Sequence, residues 1–583
     1  MRIQTSEQSE IVGINKIKIM KKAISIFATI LVLLILIISC KTNEKESEPE
    51  QEKETETIIQ KPNILLIVAD DMGFSDIAPF GGEINTPTLS KLANEGLILT
   101  NFHVLPTCSP SRSVLLSGTD NHMAGLGSME ELKTPKQHGK PGYEGYLNNR
   151  VSHLPQVLKD SGYQTYMSGK WHLGFEKEHW PSKKGFAETF SLLPGGGSHW
   201  ADRIPLSPPQ IMNYVRNGEL VDNLPSDFYS TKNYTDYILE WLERDKNDEK
   251  PFFAYVSYTA SHDPLHAPKE YIDKYKGKYD HGFEVLREKR YEQLKKLGII
   301  PETTTIPAWP GNKWDDLSEE EKKESARDME VYAAMIDYMD EQILRILNWL
   351  NQNNELDNTM VVFFSDNGAN GAMSTAYPGQ TEEFLNSIDN SLENRGLPNS
   401  FVEMGPEWAT ASMSPHRLYK AFTTEGGIIS PCIIKLPATL KDSLEMNKAF
   451  THISDIMPTL LELADTEHPS VKNDSIPEMI GKSLIPLLNG EKETIHSGEG
   501  IGYELHGMRA YIKGEWKIIN LPIPFGTGDW ELFNLAEDPS ETKGLSNEFP
   551  EKRKDLIAAW EKYSENVGVV YDPLDFKEML KHD

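Results

Sequence analysis

Cysteine is scarce. Cys40, Cys108 and Cys432 are the only three in 583 residues, far apart and in unlike contexts. That excludes a disulfide framework, and no zinc-finger spacing occurs. Positive charge is also in deficit: 59 Lys and Arg stand against 88 Asp and Glu, a formal net charge of −29. A nucleic-acid binder normally carries basic patches, so that class is excluded. Internal repeats are absent. One long apolar run occurs, at the N-terminus. The chain as a whole, with hydrophobic residues at 38% and charged residues at 25%, has a globular composition.

The N-terminal run has a recognisable grammar. Lys21 and Lys22 precede apolar residues from Ala23 to Ile38, followed by Ser39 and Cys40. A basic start, an apolar middle and a small residue before the cut are signal-peptide features. Ile37-Ile38-Ser39-Cys40 resembles the lipobox of bacterial lipoproteins. The resemblance implies a lipidated Cys40 and a place in the bacterial cell envelope, in the periplasm or on the outer surface. An uncleaved membrane anchor is the alternative. Met20, just before Lys21, is an alternative start to Met1. Residues 41–60 are Glu-rich and poor in apolar residues, which predicts a disordered acidic tether.

Beyond the tether, apolar strands alternate with helical patterns. Asn63–Ala69, Tyr163–Met167, Phe252–Ser257 and Met360–Phe364 read as buried strands. Thr88–Glu95, Ser152–Lys159 and Met329–Leu350 read as helices, the last with a long apolar stripe. This alternation predicts an α/β fold with a large, mostly parallel central sheet flanked by helices. Ligands bind such sheets at the C-terminal ends of strands. Two long irregular stretches, Gly195–Asp227 and Asn370–Pro415, read as walls of a site. From Ser497 the pattern changes to short antiparallel strands at 507–512, 516–519 and 531–535, then a helix at Glu551–Glu565. The expected division is a signal at 1–40, a tether at 41–60, a catalytic domain at 61–496 and a small α+β subdomain at 497–583.

Polar residues that follow the strands carry the chemistry. Asp70 and Asp71 follow the first, and Asp366 and Asn367 follow Phe364-Ser365. An all-oxygen set favours Ca²⁺ or Mg²⁺ over Zn²⁺. Lys170 and His172 stand two apart after a strand, on one side if extended. His262 and His266 follow another. Cys108-Ser109-Pro110-Ser111-Arg112 puts a proline in the first turn of a helix. The helix N-terminus and Arg112 would form an anion-friendly pocket. A buried inert thiol is the alternative reading of Cys108, and a surface lysine that of Lys420.

The run Cys108-Ser-Pro-Ser-Arg112, continued to Ser117-Gly118, resembles the type I sulfatase signature. Gly169-Lys-Trp-His-Leu-Gly174, His262-Asp-Pro-Leu-His266, Ser365-Asp-Asn-Gly368 and the Lys420 segment before Glu425-Gly426-Gly427 resemble that family's other motifs. Gly528-Asp-Trp-Glu-Leu-Phe-Asn-Leu535 looks most like bacterial arylsulfatases. The resemblance implies an alkaline-phosphatase-like fold and hydrolysis of a sulfate monoester. It also implies oxidation of Cys108 to formylglycine (3-oxoalanine) by a formylglycine-generating enzyme, giving a hydrated aldehyde as nucleophile. One Ca²⁺ per chain would sit among Asp70, Asp71, Asp366, Asn367 and the residue-108 oxygen. Lys170 would contact formylglycine and sulfate, and His172 would take a proton from the second hydroxyl. His262, with Lys420, would serve the leaving alcohol, His266 being the competing candidate. Asp366 would double as base for the attacking hydroxyl, and Lys420 would bind sulfate. Cys432 is expected to be a buried structural thiol. Substrates would be small-molecule or glycan sulfate esters. Open alternatives are a phosphonate monoesterase or phosphodiesterase, a two-zinc phosphatase relative, and a non-enzymatic sulfate-ester binder if Cys108 is unconverted.

Overall fold

The computed structural model describes residues 61–440 and 445–573. The lipoprotein signal, Cys40, the tether and the last residues of the C-terminal subdomain lie outside them. Among the described residues no helix is long and apolar enough to cross a membrane.

The described strands, in chain order, are β1 Asn63–Ala69, β2 Leu97–His103, β3 Gln164–Lys170, β4 Glu188–Leu192, β5 Tyr214–Arg216, β6 Glu219–Leu220, β7 Phe252–Ser257, β8 Thr359–Ser365, β9 Ile429–Lys435, β10 Met446–Asn447, β11 Thr451–His452, β12 Gly500–Leu505, β13 Met508–Lys513, β14 Trp516–Asn520 and β15 Trp530–Asn534. The large sheet runs β10-β2-β9-β8-β1-β7-β3-β4-β5-β6, with β11 also on β2. Its centre, β8-β1-β7-β3, is wholly parallel. The expected α/β architecture, with a mostly parallel sheet between helices, is the one observed.

β1 shows why this segment forms a central strand. Every residue in it is buried. Leu65, Ile67 and Ala69 face one apolar core, which includes the long helix, while Ile64, Leu66 and Val68 face another. A strand buried on both faces needs apolar residues at every position. Each such side chain contributes about 1.5–3 kcal/mol of burial. The long helix spans Glu319–Gln352, ten residues earlier than its apolar stripe suggests. Its charged first turns are held by a capping box between Ser318 and Glu321.

β9 begins at Ile429 and contains Pro431. Cys432 is a buried free thiol there. The two long irregular stretches are partly ordered: the first holds the β5–β6 hairpin and the second the helix Gly405–Ser412.

The four-stranded sheet β12-β13-β14-β15 is antiparallel, and the helix Pro550–Val567 packs on it. β12 is an additional strand, its pattern masked in sequence by Gly500 and Gly502. Both glycines are required by close approach: a Cβ on Gly502 would lie 2.2 Å from the Tyr563 ring, and one on Gly500 2.4 Å from Tyr511. A buried charge cluster joins this sheet to the large one. Lys517 Nζ lies 2.7 Å from both Glu425 and Glu541, and Glu425 is 2.8 Å from His103 Nε2 on β2.

Candidate active site

Topology alone gathers the motifs. β8, β1, β7 and β3 are parallel neighbours, so their C-terminal ends share one edge of the sheet. Asp366 and Asn367, Asp70 and Asp71, His262, and Lys170 and His172 therefore emerge together. β2 also points that way, since it is antiparallel to β9, which is antiparallel to β8. The chain leaving β2 reaches the helix Cys108–Ser117. β9 runs in reverse, so Lys420, which precedes it, arrives at the same edge.

At the centre is Cys108, fully buried at the N-terminus of its helix. Its Sγ lies 3.5 Å from Asp70 Oδ1 and 3.7 Å from Asp71 Oδ1. Burial pushes the Cys108 thiol well above its usual range. The unmodified side chain is thus a neutral thiol, a poor nucleophile and a poor partner for a hard cation. Lys170 Nζ donates to both Asp70 oxygens at 2.8 Å. Lys420 Nζ donates to Asp71 Oδ2 at 2.7 Å and stands 3.3 Å from His262 Nε2. Burial alone would raise the Asp71 carboxyl, but the ammonium groups of Lys420 and Lys170 hold it below the usual carboxylate range. Asp71 also has a positive φ of 61°, a left-handed backbone that aspartate tolerates better than most residues.

Arg112 departs from its expected place in an anion pocket. Its Nε and Nη2 meet Asp366 Oδ2 at 2.8 and 2.6 Å, and Nη2 is 3.4 Å from Asp70. Nη1 turns to Ser257 Oγ. The guanidinium is consumed in fixing two carboxylates from behind. Nor do Lys170 and His172 act as a same-side pair: His172 has a φ of 53°, and only His172 reaches the cavity wall.

That cavity, about 630 Å³, is lined by Cys108, His172, His262, Lys420, Tyr377 and Phe422 among others. Both long irregular stretches contribute to it, through Gly195, Leu206 and Gln210 and through Asn370 to Pro378. A smaller cavity of about 330 Å³, lined by Glu324, Asp328 and Glu403, holds none of the motif residues. His262 Nδ1 faces the Asp263 carbonyl at 2.7 Å, which leaves Nε2 as the reactive atom. Burial, with Lys420 and Lys170 nearby, lowers His262 to about 3, against the pull of Asp71. His266 is elsewhere: its nitrogens meet His199 N at 3.2 Å and Ser400 O at 3.0 Å. One residue without a sequence signal joins the site. Glu131 Oε2 lies 3.4 Å from His172 Nε2, and Gln210 Nε2 donates to its other oxygen at 3.3 Å.

A cation fits this donor set. Ligand atoms of Asp70, Asp71, Cys108 and His262 lie within 4.8 Å of one another. Asn367 Oδ1 is buried there without a hydrogen-bond partner, and such acceptors normally have one. Two aspartates and an amide oxygen are hard donors suited to Ca²⁺ or Mg²⁺.

The profile of the family described as Sulfatase matches residues 62–466. An uncharacterised sulfatase of Schizosaccharomyces pombe is 46% identical over 538 residues, 89% of this chain and 96% of that protein. An arylsulfatase of Klebsiella aerogenes is 40% identical over 430 residues, 73% of this chain and 91% of its own. Among solved structures, Ps i-CgsB in complex with k-i-k-neocarrahexaose superposes with a TM-score of 0.62 at 24% identity, over 87% of this chain and 93% of that one; that likeness bears on the fold alone. With its motifs gathered at one sheet edge and these relatives matched along most of its length, the chain belongs to the sulfatase family and is an enzyme of sulfate-ester hydrolysis.

Proposed function

We propose that the protein is a calcium-dependent arylsulfatase-type enzyme whose nucleophile is formylglycine made from Cys108. The observation that carries this reading is the setting of Cys108: a buried neutral thiol at a helix N-terminus, within 3.7 Å of two aspartates, on the wall of the cavity that His172, His262 and Lys420 also line. Sγ stands where the oxygens of the converted residue would be. Once made, the hydrated aldehyde supplies one hydroxyl to take the sulfuryl group and a second to release it. Asp70, Asp71, Asp366 and Asn367 would hold the cation, whose charge would polarise those oxygens and the sulfate.

The side chains of the chain do the rest. Lys170 and Lys420 place two ammonium groups beside the aspartates, where an anionic ester is drawn in. His172 donates Nε2–H to Glu131, which leaves Nδ1 to accept a proton and a carboxylate to stabilise the imidazolium that results. His262 is neutral in the free site, so Nε2 takes up its proton along with the anionic substrate, whose charge favours the imidazolium. It then passes that proton to the leaving oxygen, with Lys420 alongside. Residues 61–496 are assigned to the catalytic domain and 497–583 to a subdomain, of which Leu505, His506, Met508 and Phe525 line the cavity. We further assign the enzyme to the bacterial envelope, anchored through Cys40 and matured by a formylglycine-generating enzyme.

Turnover of an aryl sulfate, compared with an aryl phosphonate monoester and an aryl phosphodiester, tests the reading on protein co-produced with the generating enzyme. The sulfate is expected to be the best substrate by kcat/KM. A higher kcat/KM for either phosphorus ester would overturn it.

A further inference from the structure

Part of the cavity wall comes from the C-terminal sheet and its loops: Leu505, His506, Met508 and Phe525 line the same cavity as Cys108 and His262. Leu505 pairs with Met508 across β12 and β13, so His506 and Gly507 form a two-residue turn. Both have positive φ, 53° and 87°, as a type I′ turn requires. Glycine, asparagine or aspartate usually occupies its first position; a histidine there is strained. The strained residue is 5% exposed. Neither of its ring nitrogens has a hydrogen-bond partner among the described residues. A buried imidazole in a cavity wall, with both nitrogens unpaired, is a site for a polar group from outside.

The turn is also held in place. Gly507 N donates to Glu504 Oε1 at 2.8 Å. Glu504 Oε2 lies 3.8 Å from His122 Nε2. His122 Nδ1 meets Asp120 Oδ1 at 2.9 Å, and Tyr563 OH donates to Asp120 Oδ2 at 2.8 Å. Asp120 and His122 follow directly on the Cys108 helix. A buried polar chain thus ties the turn to the segment that carries the nucleophile.

We infer that His506 is a specificity-determining residue, whose imidazole hydrogen-bonds an uncharged hydroxyl on the leaving alcohol of the sulfate ester. This rests on the sulfatase reading of the site. Burial, against the pull of Glu504, lowers His506 to about 4, so at neutral pH it offers one donor and one acceptor. A hydroxyl is the group that complements both. The remaining wall, with Leu206, Tyr419, Phe422 and Met508, suits the apolar face of a ring.

The test is a matched series: phenyl sulfate, its ortho, meta and para hydroxy derivatives, and a hexose monosulfate, with wild type, His506→Phe and His506→Asn. The wild type is expected to prefer at least one hydroxylated ester over phenyl sulfate by about tenfold in kcat/KM, the effect of one neutral hydrogen bond. H506F should remove that preference. H506N, which tolerates the left-handed turn and keeps a donor and an acceptor, should retain part of it. The hexose ester distinguishes a sugar hydroxyl from a phenolic one, and loss of preference for either supports the assignment. A preference that survives H506F, its absence in wild type, or an equal loss on all substrates overturns it. Phenyl sulfate turnover in the wild type reports separately on the sulfatase reading.

Discussion

Gly195 lies against the ring of His172. A Cβ at this position would sit 2.6 Å from His172 Cε1 and 2.9 Å from Nε2. Carbon atoms in contact settle near 3.5–4.0 Å, so in Gly195→Ala the ring must retreat by about 1 Å. Its Nε2 is already 3.4 Å from Glu131, close to the limit of a hydrogen bond, and the shift re-aims Nδ1. A misplacement of about 1 Å costs up to roughly 100-fold in rate. We therefore expect G195A to lower kcat for an aryl sulfate about 10- to 100-fold. Its thermal unfolding should stay near that of wild type, because Gly195 is not in the left-handed region and the substitution leaves the backbone unstrained. Gly544→Ala is the control, since a Cβ there meets nothing within 4 Å. A G195A enzyme with kcat within about twofold of wild type would refute the assignment of His172 as a precisely placed proton acceptor.

Removing the bound cation with a chelator should abolish turnover, and added Ca²⁺ but not Zn²⁺ should restore it. Independently of activity, Ca²⁺ at about 100 times its Kd should stabilise the folded chain by about 2.7 kcal/mol in thermal unfolding. Lys517→Met would leave Glu425 and Glu541 buried without their shared cation; a loss of about 3–5 kcal/mol is expected, read by denaturant unfolding. His122 gives a pH signature. Burial would lower it, but its hydrogen bond to Asp120 and the nearby Glu504 raise it from 6.5 to about 9. A raised folded-state value means that its stabilisation is full below 6.5 and is lost as pH rises through about 9. The difference of about 2.5 pH units corresponds to at most about 3 kcal/mol. Unfolding midpoints of wild type and His122→Gln should therefore converge towards alkaline pH, and a constant gap would contradict the assignment.

The parallel core and the residues at its strand ends were legible because a strand buried on both faces is apolar throughout, and a reactive residue directly after it stands out. Asp70, Asp71 and Asp366 are of this kind. The role of Arg112 was not legible: nothing in Cys-Ser-Pro-Ser-Arg says whether the guanidinium faces a substrate or a carboxylate 254 positions away. Glu131 follows another glutamate in an irregular segment, and only the tertiary fold sets it against His172. β12 hides behind glycines that exist because the tyrosine rings press on them. His506-Gly507 could have been read as a turn, but that the turn borders the cavity depends on how the two sheets pack.

Catalysis turns on the chemical state of one side chain. Peptide mass spectrometry across position 108, on enzyme active towards an aryl sulfate, tests it most directly. An aldehyde or its hydrate is expected at that position, in proportion to specific activity. An intact thiol throughout a fully active preparation would contradict it.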